Sequence, residues 1–351
     1  MNKRKRVGVI GCGYWGPNLI RNFHDLLQEG MCAVADLDQD RLESVKGAYP
    51  HLDATTDPDE VLEREDIDAV AIATPVHTHY DLAKTAIENG KHVLIEKPMT
   101  HSVETSEHLI ELADQAGVTL MVDHTFIYTG AVRKINDLVE SGELGRLYYF
   151  DSVRVNLGLF QHDINVLWDL APHDISIMDH VLDPDPVAVA AHGAAHIDYS
   201  DEPIENITYL TVYYPDDLIA HIHSNWLAPV KVRKTLLGGS EKMIVYDDTE
   251  PDEKIKVYDK GVEIEPNSDP EALHDVLVSY RTGDMLAPRL DDTEALKREV
   301  RHFLDCIETG KQPVTDGQAG LDVVRILEAA QTSIDNDGAR VSLAEREMTT
   351  H

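Results

Sequence analysis

The segment Arg6-Val7-Gly8-Val9-Ile10-Gly11-Cys12-Gly13-Tyr14-Trp15-Gly16 constrains this chain more than any other stretch. An apolar, β-rich run feeds a G-x-G-x-x-G turn, and Leu19, Ile20, Phe23, Leu26 and Leu27 follow at i, i+3/i+4 spacing, the mark of an amphipathic helix. Strand, glycine turn and helix in that order form the context of a dinucleotide site. Gly11 permits the tight turn, Gly13 lets backbone approach a pyrophosphate, and Gly16 lets the helix pack closely on the strand. The first N–H groups of the helix, at the positive end of its dipole, then face phosphates. Tyr14 and Trp15 lie inside the turn and join the candidate cofactor contacts.

A glycine triplet alone is a weak signal, and the next strand strengthens it. Met31-Cys32-Ala33-Val34-Ala35 is apolar and ends at Asp36, twenty residues after Gly16. An acidic side chain there accepts hydrogen bonds from the adenine ribose hydroxyls. Asp38 follows, and no arginine comes before Arg41, so a 2′-phosphate would meet two carboxylates. NAD is expected over NADP. The plainer alternative is an ordinary strand–helix turn in which Asp36 caps the next helix.

At 351 residues the chain has room for two domains, each with its own core. Its 64 Asp and Glu against 31 Lys and Arg give a formal charge of −33, spread along the sequence. That charge argues against nucleic acid or an anionic membrane as partner, since both are polyanions. It is also what adaptation to a salty cytoplasm would produce, where a Debye length of about 3 Å at 1 M salt screens self-repulsion. Cys12, Cys32 and Cys306 are odd in number and lack C-x-x-C spacing, which fits a reducing, cytoplasmic compartment. The basic start Met1-Asn2-Lys3-Arg4-Lys5-Arg6 is not read as a secretory signal, because the apolar run after it holds the glycine fingerprint. No apolar stretch approaches the ~20 residues that span a bilayer.

Strand and helix alternate over the first ~125 residues. Strands are expected at 6–10, 31–36, 69–73, 92–96 and 118–122, and helices at 17–29, 38–47, 57–63, 79–89 and 102–116. The later strands are continuous apolar runs such as Ala69-Val70-Ala71-Ile72-Ala73, the pattern of a parallel sheet buried on both faces. The fold class is therefore α/β, with an N-terminal doubly wound Rossmann domain at 1–124. A helix near 130–141 and a glycine turn lead into strands at 148–157, 187–195, 206–214, 218–226, 232–237 and 243–246. These suggest one open, mostly antiparallel sheet in a C-terminal α/β domain at 125–351. A helix at 169–182 interrupts the series, 247–290 reads as a strand or two and a long surface loop, and helices near 292–309 and 317–334 follow.

Three constellations carry chemistry. Glu96-Lys97-Pro98 ends the strand His92-Val93-Leu94-Ile95, and ligands of a doubly wound sheet bind beyond the carboxyl ends of its strands. Lys97 is thereby aimed at the cofactor crevice, where a desolvated lysine acts as acid or base or bonds a developing alkoxide. The bland alternative is a surface lysine beside a glutamate. Asp169-Leu170-Ala171-Pro172-His173 places a carboxylate and an imidazole four residues apart at a helix start, on one face, with Pro172 in the first turn. A carboxylate beside an imidazole fixes its orientation and suits it to remove a hydroxyl proton; a capping Asp and an interfacial His are the alternative. Thr74-Pro75-Val76-His77-Thr78-His79 follows a strand end and is expected as a loop beside the nicotinamide ribose. Thr74, Pro75, His77, His79 and Glu96 thus join the cofactor set. H-x-H without a third ligand is no metal signature, so no metal is expected. His221 and His223 alternate along a strand and share one sheet face.

Together, Gly11-Cys12-Gly13-Tyr14-Trp15-Gly16, Ala73-Thr74-Pro75, Glu96-Lys97-Pro98, Ser141-Gly142-Glu143-Leu144-Gly145 and Asp169 with His173 resemble the Gfo/Idh/MocA oxidoreductases across nearly the whole chain. The resemblance implies an active-site role for Lys97, a catalytic base at His173 and its partner at Asp169. It also implies NAD(P)-linked chemistry at a sugar or cyclitol carbon and a C-terminal sheet that forms a homodimer or homotetramer. Tyr14-Trp15-Gly16-Pro17-Asn18 and Asn225-Trp226-Leu227-Ala228-Pro229-Val230-Lys231-Val232-Arg233 look like members found with nucleotide-sugar and surface-polysaccharide synthesis. Where many relatives carry H-N-x-R-F-x-P, this chain has His124-Thr125-Phe126-Ile127-Tyr128-Thr129-Gly130. Tyr128, Asn156, Gln161 and Lys231 are the candidate substrate contacts.

The leading expectation is an NAD-dependent dehydrogenase of a sugar or nucleotide sugar using Lys97 and His173. The alternatives are a cyclitol dehydrogenase, an aldose–aldose oxidoreductase with retained cofactor, and a non-catalytic NAD-binding sensor. The acid–base set argues against the sensor, which has no need of one.

Overall fold

The computed structural model describes residues 5–158, 160–161, 163–197, 203–264 and 278–343. In chain order the first part runs β1 (Val7–Ile10), α1 (Gly16–Leu27), β2 (Met31–Ala35), α2 (Gln39–Ala48), β3 (Asp53–Thr55), α3 (Asp59–Leu62), β4 (Ala69–Ile72), α4 (Val76–Glu88), β5 (His92–Glu96), α5 (Val103–Ala116) and β6 (Leu120–Asp123). It continues through α6 (Gly130–Glu140), β7 (Leu147–Leu157), α7 (Val166–Val181), β8 (Ala188–Ala194), β9 (Ile207–Tyr213), β10 (Ile219–Asn225), β11 (Leu227–Gly239) and β12 (Met243–Asp247). The last elements are β13 (Ile255–Tyr258), β14 (Gly261–Ile264), β15 (Val278–Arg281), β16 (Met285–Leu286), α8 (Ala295–Thr309), α9 (Gly317–Asp335) and β17 (Val341–Ser342). The chain divides into Met1–Thr129 with Asp292–Glu328, and Gly130–Asp291 with Ala329–His351.

The first unit is a six-stranded parallel sheet in the order β3-β2-β1-β4-β5-β6. Its strands are apolar throughout because both faces are covered. Val7, Val9, Ala69 and Ala71 pack with Leu19, Ile20 and Phe23 of α1 on one face. Ile10, Val70 and Ile72 pack with Ala83, Ile87 and Leu109 of α4 and α5 on the other. Helix starts follow local chemistry: the Asp38 carboxylate accepts the Asp40 and Arg41 N–H groups, and the Ser102 hydroxyl accepts the Thr105 N–H. Gly117, at φ +66°, closes α5 in the left-handed conformation.

Four differences from the sequence expectation stand out in this unit. Segment 292–328 belongs here rather than with the second domain, because Val300, Phe303, Leu304 and Ile307 of α8 bury into the α1 face. The Phe23 and Phe303 rings meet edge to face, 6.4 Å apart. The helix expected at 79–89 starts three residues earlier, directly after Pro75. The short edge strand β3 lies where only a connection was expected, and the helix at 57–63 shrinks to Asp59–Leu62.

The second unit holds a nine-stranded sheet in the order β16-β13-β12-β11-β7-β10-β9-β8-β17. β7 and β10 run parallel, and the other pairs are antiparallel. Phe150, Leu210, Val212, Ala220, Ile222 and Leu237 are buried on the face that α7 covers. Tyr209, 44% exposed, lies on the opposite face, where its ring stacks on His223 at 4.4 Å and stands 6.1 Å from His221. The two histidines do share one sheet face. β14 and β15 form a separate two-stranded sheet, and residues 265–277 of the loop expected at 247–290 lie outside the described residues.

Cys12, Cys32 and Cys306 are buried and unpaired with one another. Among the described residues no helix is long and apolar enough to cross a membrane, and no group of three or more His, Cys, Asp or Glu could hold a metal ion.

Candidate cofactor and active site

The first unit's site begins at the turn after β1. Gly11 has φ +95°, and a Cβ there would lie 2.3 Å from the Ala73 carbonyl oxygen. A Cβ on Gly16 would lie 1.9 Å from the Gly11 oxygen, so α1 can start this close to the turn only with glycine. Gly13 differs. Its nearest neighbour would be the Arg41 guanidinium at 3.6 Å, so nothing inside the protein requires a missing side chain. The open backbone leaves room for a group from outside, and no side chain caps α1. The turn fits a dinucleotide pyrophosphate. Tyr14, 88% exposed, stands free beside it.

Asp36 follows β2, and its two oxygens accept the Cys12 N–H at 2.6 Å and the Asp38 N–H at 2.8 Å. One carboxylate thus ties the glycine turn to the tip of the second strand. The Cys12 thiol beside it is pushed up to about 12 by burial and by the Asp36 charge, so it stays an inert thiol. Arg41 reaches back from α2 to within 3.7 Å of Asp36 and 3.4 Å of Asp38.

At the end of β4, the Thr78 hydroxyl bonds the Thr74 hydroxyl at 2.7 Å. The residues expected as a loop form the first turn of α4, which separates the two histidines: His77 is exposed and His79 is 1% exposed. The His79 ring nitrogens lie 3.0 and 2.8 Å from the carbonyl oxygens of Pro98 and Thr74. Contrary to its expected role, His79 braces the two strand-end loops from below instead of facing a ligand. Its burial lowers its pKa.

Lys97 follows β5, its bond to Pro98 is cis, and its N–H donates to the Glu96 carboxylate at 2.9 Å. Asp123 pairs in register with Glu96 and accepts the Trp15 indole N–H at 2.7 Å and the Thr125 hydroxyl. Glu299 of α8 is fully buried beside this pair. Burial and the Asp123 charge push both Glu96 and Glu299 well above the usual carboxylate range. The cluster therefore keeps protons that exposed glutamates would release. His124 is buried, and its two ring nitrogens have no hydrogen-bond partner among the described residues. Burial, and secondarily the Lys97 charge, push it down to about 3, so it is neutral. Tyr128, expected at the substrate, is a core residue 5% exposed, its hydroxyl 3.1 Å from that of Thr315.

The second unit's site is built on α7. Asn165 caps it, accepting the Trp168 N–H at 3.2 Å, so the helix starts one turn before the expected position. Pro172 therefore lies inside the helix, with no N–H to offer the Trp168 carbonyl. Asp169, Leu170 and His173 share a half-exposed stripe, while Leu167, Ala171, Asp174 and Ile175 are buried. Asp174 anchors the helix to the sheet: its oxygens accept Arg154 at 2.6 and 3.2 Å and Ser152 at 2.7 Å. The Asp169 carboxylate accepts the Trp226 indole N–H at 2.9 Å. Between the pairs Leu227–Leu157 and Val232–Val155, residues 228–231 of β11, Lys231 included, bulge opposite Asn156. Gln161 is half-buried in the loop that precedes α7.

Sequence reasoning thus found the turn, Asp36 and the strand ends. It missed Asp123, His124, Glu299 and Trp226. D-H at the end of a fifth apolar strand was a readable signal for the first two.

Comparison with known proteins agrees with this geometry. Residues 5–124 match the GFO/IDH/MocA profile described as an oxidoreductase family with an NAD-binding Rossmann fold, and residues 132–245 match the GFO/IDH/MocA C-terminal domain. The chain is 26% identical to scyllo-inositol 2-dehydrogenase (NAD(+)) of Bacillus subtilis over 92% of each protein. It is 25% identical to UDP-N-acetylglucosamine 3-dehydrogenase of Acidithiobacillus ferrooxidans, covering 93% of this chain and 95% of that one. The solved structure of a levoglucosan dehydrogenase in complex with NADH and levoglucosan shares the fold, with a TM-score of 0.81 at 19% identity over 98% of this chain and all of that one.

Proposed function

The chain belongs to the GFO/IDH/MocA oxidoreductases, and from that premise we propose that it is an NAD-dependent dehydrogenase oxidising a hydroxyl carbon of a sugar or nucleotide sugar. The observation that carries this reading is the arrangement of one sheet: Gly13, Asp36 and Lys97 all follow the carboxyl ends of its strands, β1, β2 and β5. Gly11, Gly13 and Gly16 would hold the pyrophosphate, Asp36 the adenine ribose, and Thr74, Pro75 and His77 the strand-end wall. Asp36 and Asp38 disfavour a 2′-phosphate, hence NAD. When bound, the nicotinamide supplies the hydride acceptor.

The chain's own residues move the proton. His173 takes it from the substrate hydroxyl, and Asp169 steadies the imidazole as it becomes charged. The Lys97 ammonium holds and polarises the substrate oxygen. Asn156, Gln161 and Lys231 orient the sugar. The cyclitol reading is kept as the second, on the likeness to the scyllo-inositol enzyme. The sheet face bearing Tyr209, His221 and His223 is read as the contact for a second copy in a homodimer or homotetramer. A salty cytoplasm is the setting that suits the −33 charge.

The test is a panel of nucleotide sugars, free aldoses and cyclitols with NAD in molar salt, followed by NADH absorbance. A signal from one sugar class supports the reading and a cyclitol signal selects the second. Silence across the panel with NAD bound would overturn both.

A further inference from the structure

Trp226 is the largest fully buried side chain among the described residues, 0% exposed, at the junction of β10 and β11. Such a side chain in a sheet ordinarily fills a core, and its one polar atom takes whatever acceptor is near. Here that acceptor is Asp169 Oδ2, at 2.9 Å. Its neighbours hold both its backbone and its ring in place. Its backbone N–H donates to the Asn206 carbonyl at 3.0 Å, and its backbone carbonyl accepts the Gly158 N–H at 3.1 Å. A Cβ on Gly158 would stand 2.4 Å from the indole Cδ1, so that glycine exists to let the ring lie flat beneath the chain. The Phe160 ring closes the side, 5.5 Å away. The donor is held from three directions, and its acceptor Asp169 sits on the half-exposed stripe of α7.

We propose that Trp226 is a positioning residue for Asp169: its indole N–H holds the carboxylate in the orientation from which Asp169 acts on His173. The proposal rests on the reading of Asp169 and His173 given above. A hydrogen bond to a carboxylate is about twice as strong as a neutral one and directional, so a rigid donor selects one rotamer of the acceptor. Gly158 is part of the same device, since any side chain there displaces the indole.

The test needs no substrate. Protein labelled with 15N at histidine is compared as wild type, Trp226→Phe, Asp169→Asn and the double variant, with the His173 signals assigned through His173→Gln. Trp226→Phe keeps an aromatic ring and removes the donor together with one ring's volume. Site-specific replacement of Trp226 by benzothienylalanine, which puts sulfur where the N–H was at the same size, covers the case in which phenylalanine does not fold.

The expected result is that the His173 ring shifts move the same way in both single variants and no further in the double, with NAD affinity changed less than about threefold. His173 signals unchanged on removing the donor, though moved by Asp169→Asn, would overturn the positioning role alone. Signals unmoved by Asp169→Asn would overturn the Asp169–His173 pairing and the proposal with it. Additive shifts in the double variant would show that Trp226 acts on His173 by some other route, which also overturns it.

Discussion

The indole N–H of Trp15 donates to the Asp123 carboxylate at 2.7 Å, and so ties the glycine turn after β1 to the end of β6. The same carboxylate lies beside two others, Glu96 and Glu299, in a buried cluster. A donor aimed at a crowded carboxylate does double duty: it offsets local charge and pins the turn.

Trp15→Phe tests this tie. Losing a hydrogen bond to a buried charged group costs about 1.5–3 kcal/mol. The variant should melt several degrees lower and bind NAD about tenfold more weakly. Calorimetry and titration with NAD measure the two effects, and an unchanged melt with unchanged affinity would remove the tie from the account.

Glu299 sets an alkaline limb of stability. Its carboxyl is raised well above the ordinary range, chiefly by burial, whereas in the unfolded chain it loses its proton near pH ~4.3. Above that pH the native state holds a proton that the unfolded state has lost. Stability therefore falls as pH rises towards the raised value, by about 1.4 kcal/mol per pH unit. Glu299→Gln should flatten that limb and raise the melting temperature at pH 8 relative to pH 5. Parallel melting curves for variant and wild type from pH 5 to 9 would contradict it.

His124 does the reverse at acid pH. The native imidazole is held down to about 3, while the unfolded one titrates near ~6.5. As pH falls below that, the unfolded state binds a proton the native state refuses, so stability is lost between ~6.5 and the native value. His124→Gln should unfold at lower pH than the wild type in an acid titration followed by circular dichroism.

How far these features could be read from the sequence depends on the range over which they act. Gly11, Gly13, Gly16 and Asp36 were legible because a turn and a strand end are local, and their spacing is set by one βαβ unit. The Lys97 strand end was legible for the same reason. Glu299 was not: it lies on an amphipathic helix 176 residues after Asp123 in sequence, and nothing in its own periodicity shows that a carboxylate faces inward. β3, Asp53–Thr55, is short and half polar, so it lacked a strand's pattern. Asn165 and Asp169 are both good capping residues one turn apart, and Pro172 favoured the later start. The choice was settled by Asn165's side-chain bonds to Glu205 and Gln331. His77 and His79 looked equivalent as a loop, yet on a helix residues two apart face different sides.

Cofactor choice rests on Asp36 with Arg41 behind it, 3.7 Å away. Asp36→Ser removes the charge that repels a 2′-phosphate and leaves the guanidinium in place to receive one. The ratio of NADP to NAD affinity should rise by about a hundredfold, equivalent to ~2.7 kcal/mol. Adding Arg41→Ala should abolish most of that gain. A gain that survives the second substitution would show that Arg41 is not the phosphate's partner.

With 64 acidic residues against 31 basic ones, self-repulsion should weaken the fold in dilute buffer. Raising salt from 0.1 to 1 M shortens the screening length from about 10 Å to about 3 Å. The melting temperature should climb by about 5 °C or more over that range. A flat or falling dependence on potassium chloride would leave the acidic surface without this explanation.

On the proposed mechanism Lys97 serves the chemistry rather than the cofactor's hold. With the substrate class found by the NAD-linked panel, steady-state turnover and NAD affinity of Lys97→Ala should be measured side by side with the wild type. NAD affinity should stay within about threefold of the wild type and turnover should fall by a factor of about 10²–10⁴, the usual contribution of a positioned acid or base. Near-normal turnover in the variant would contradict it.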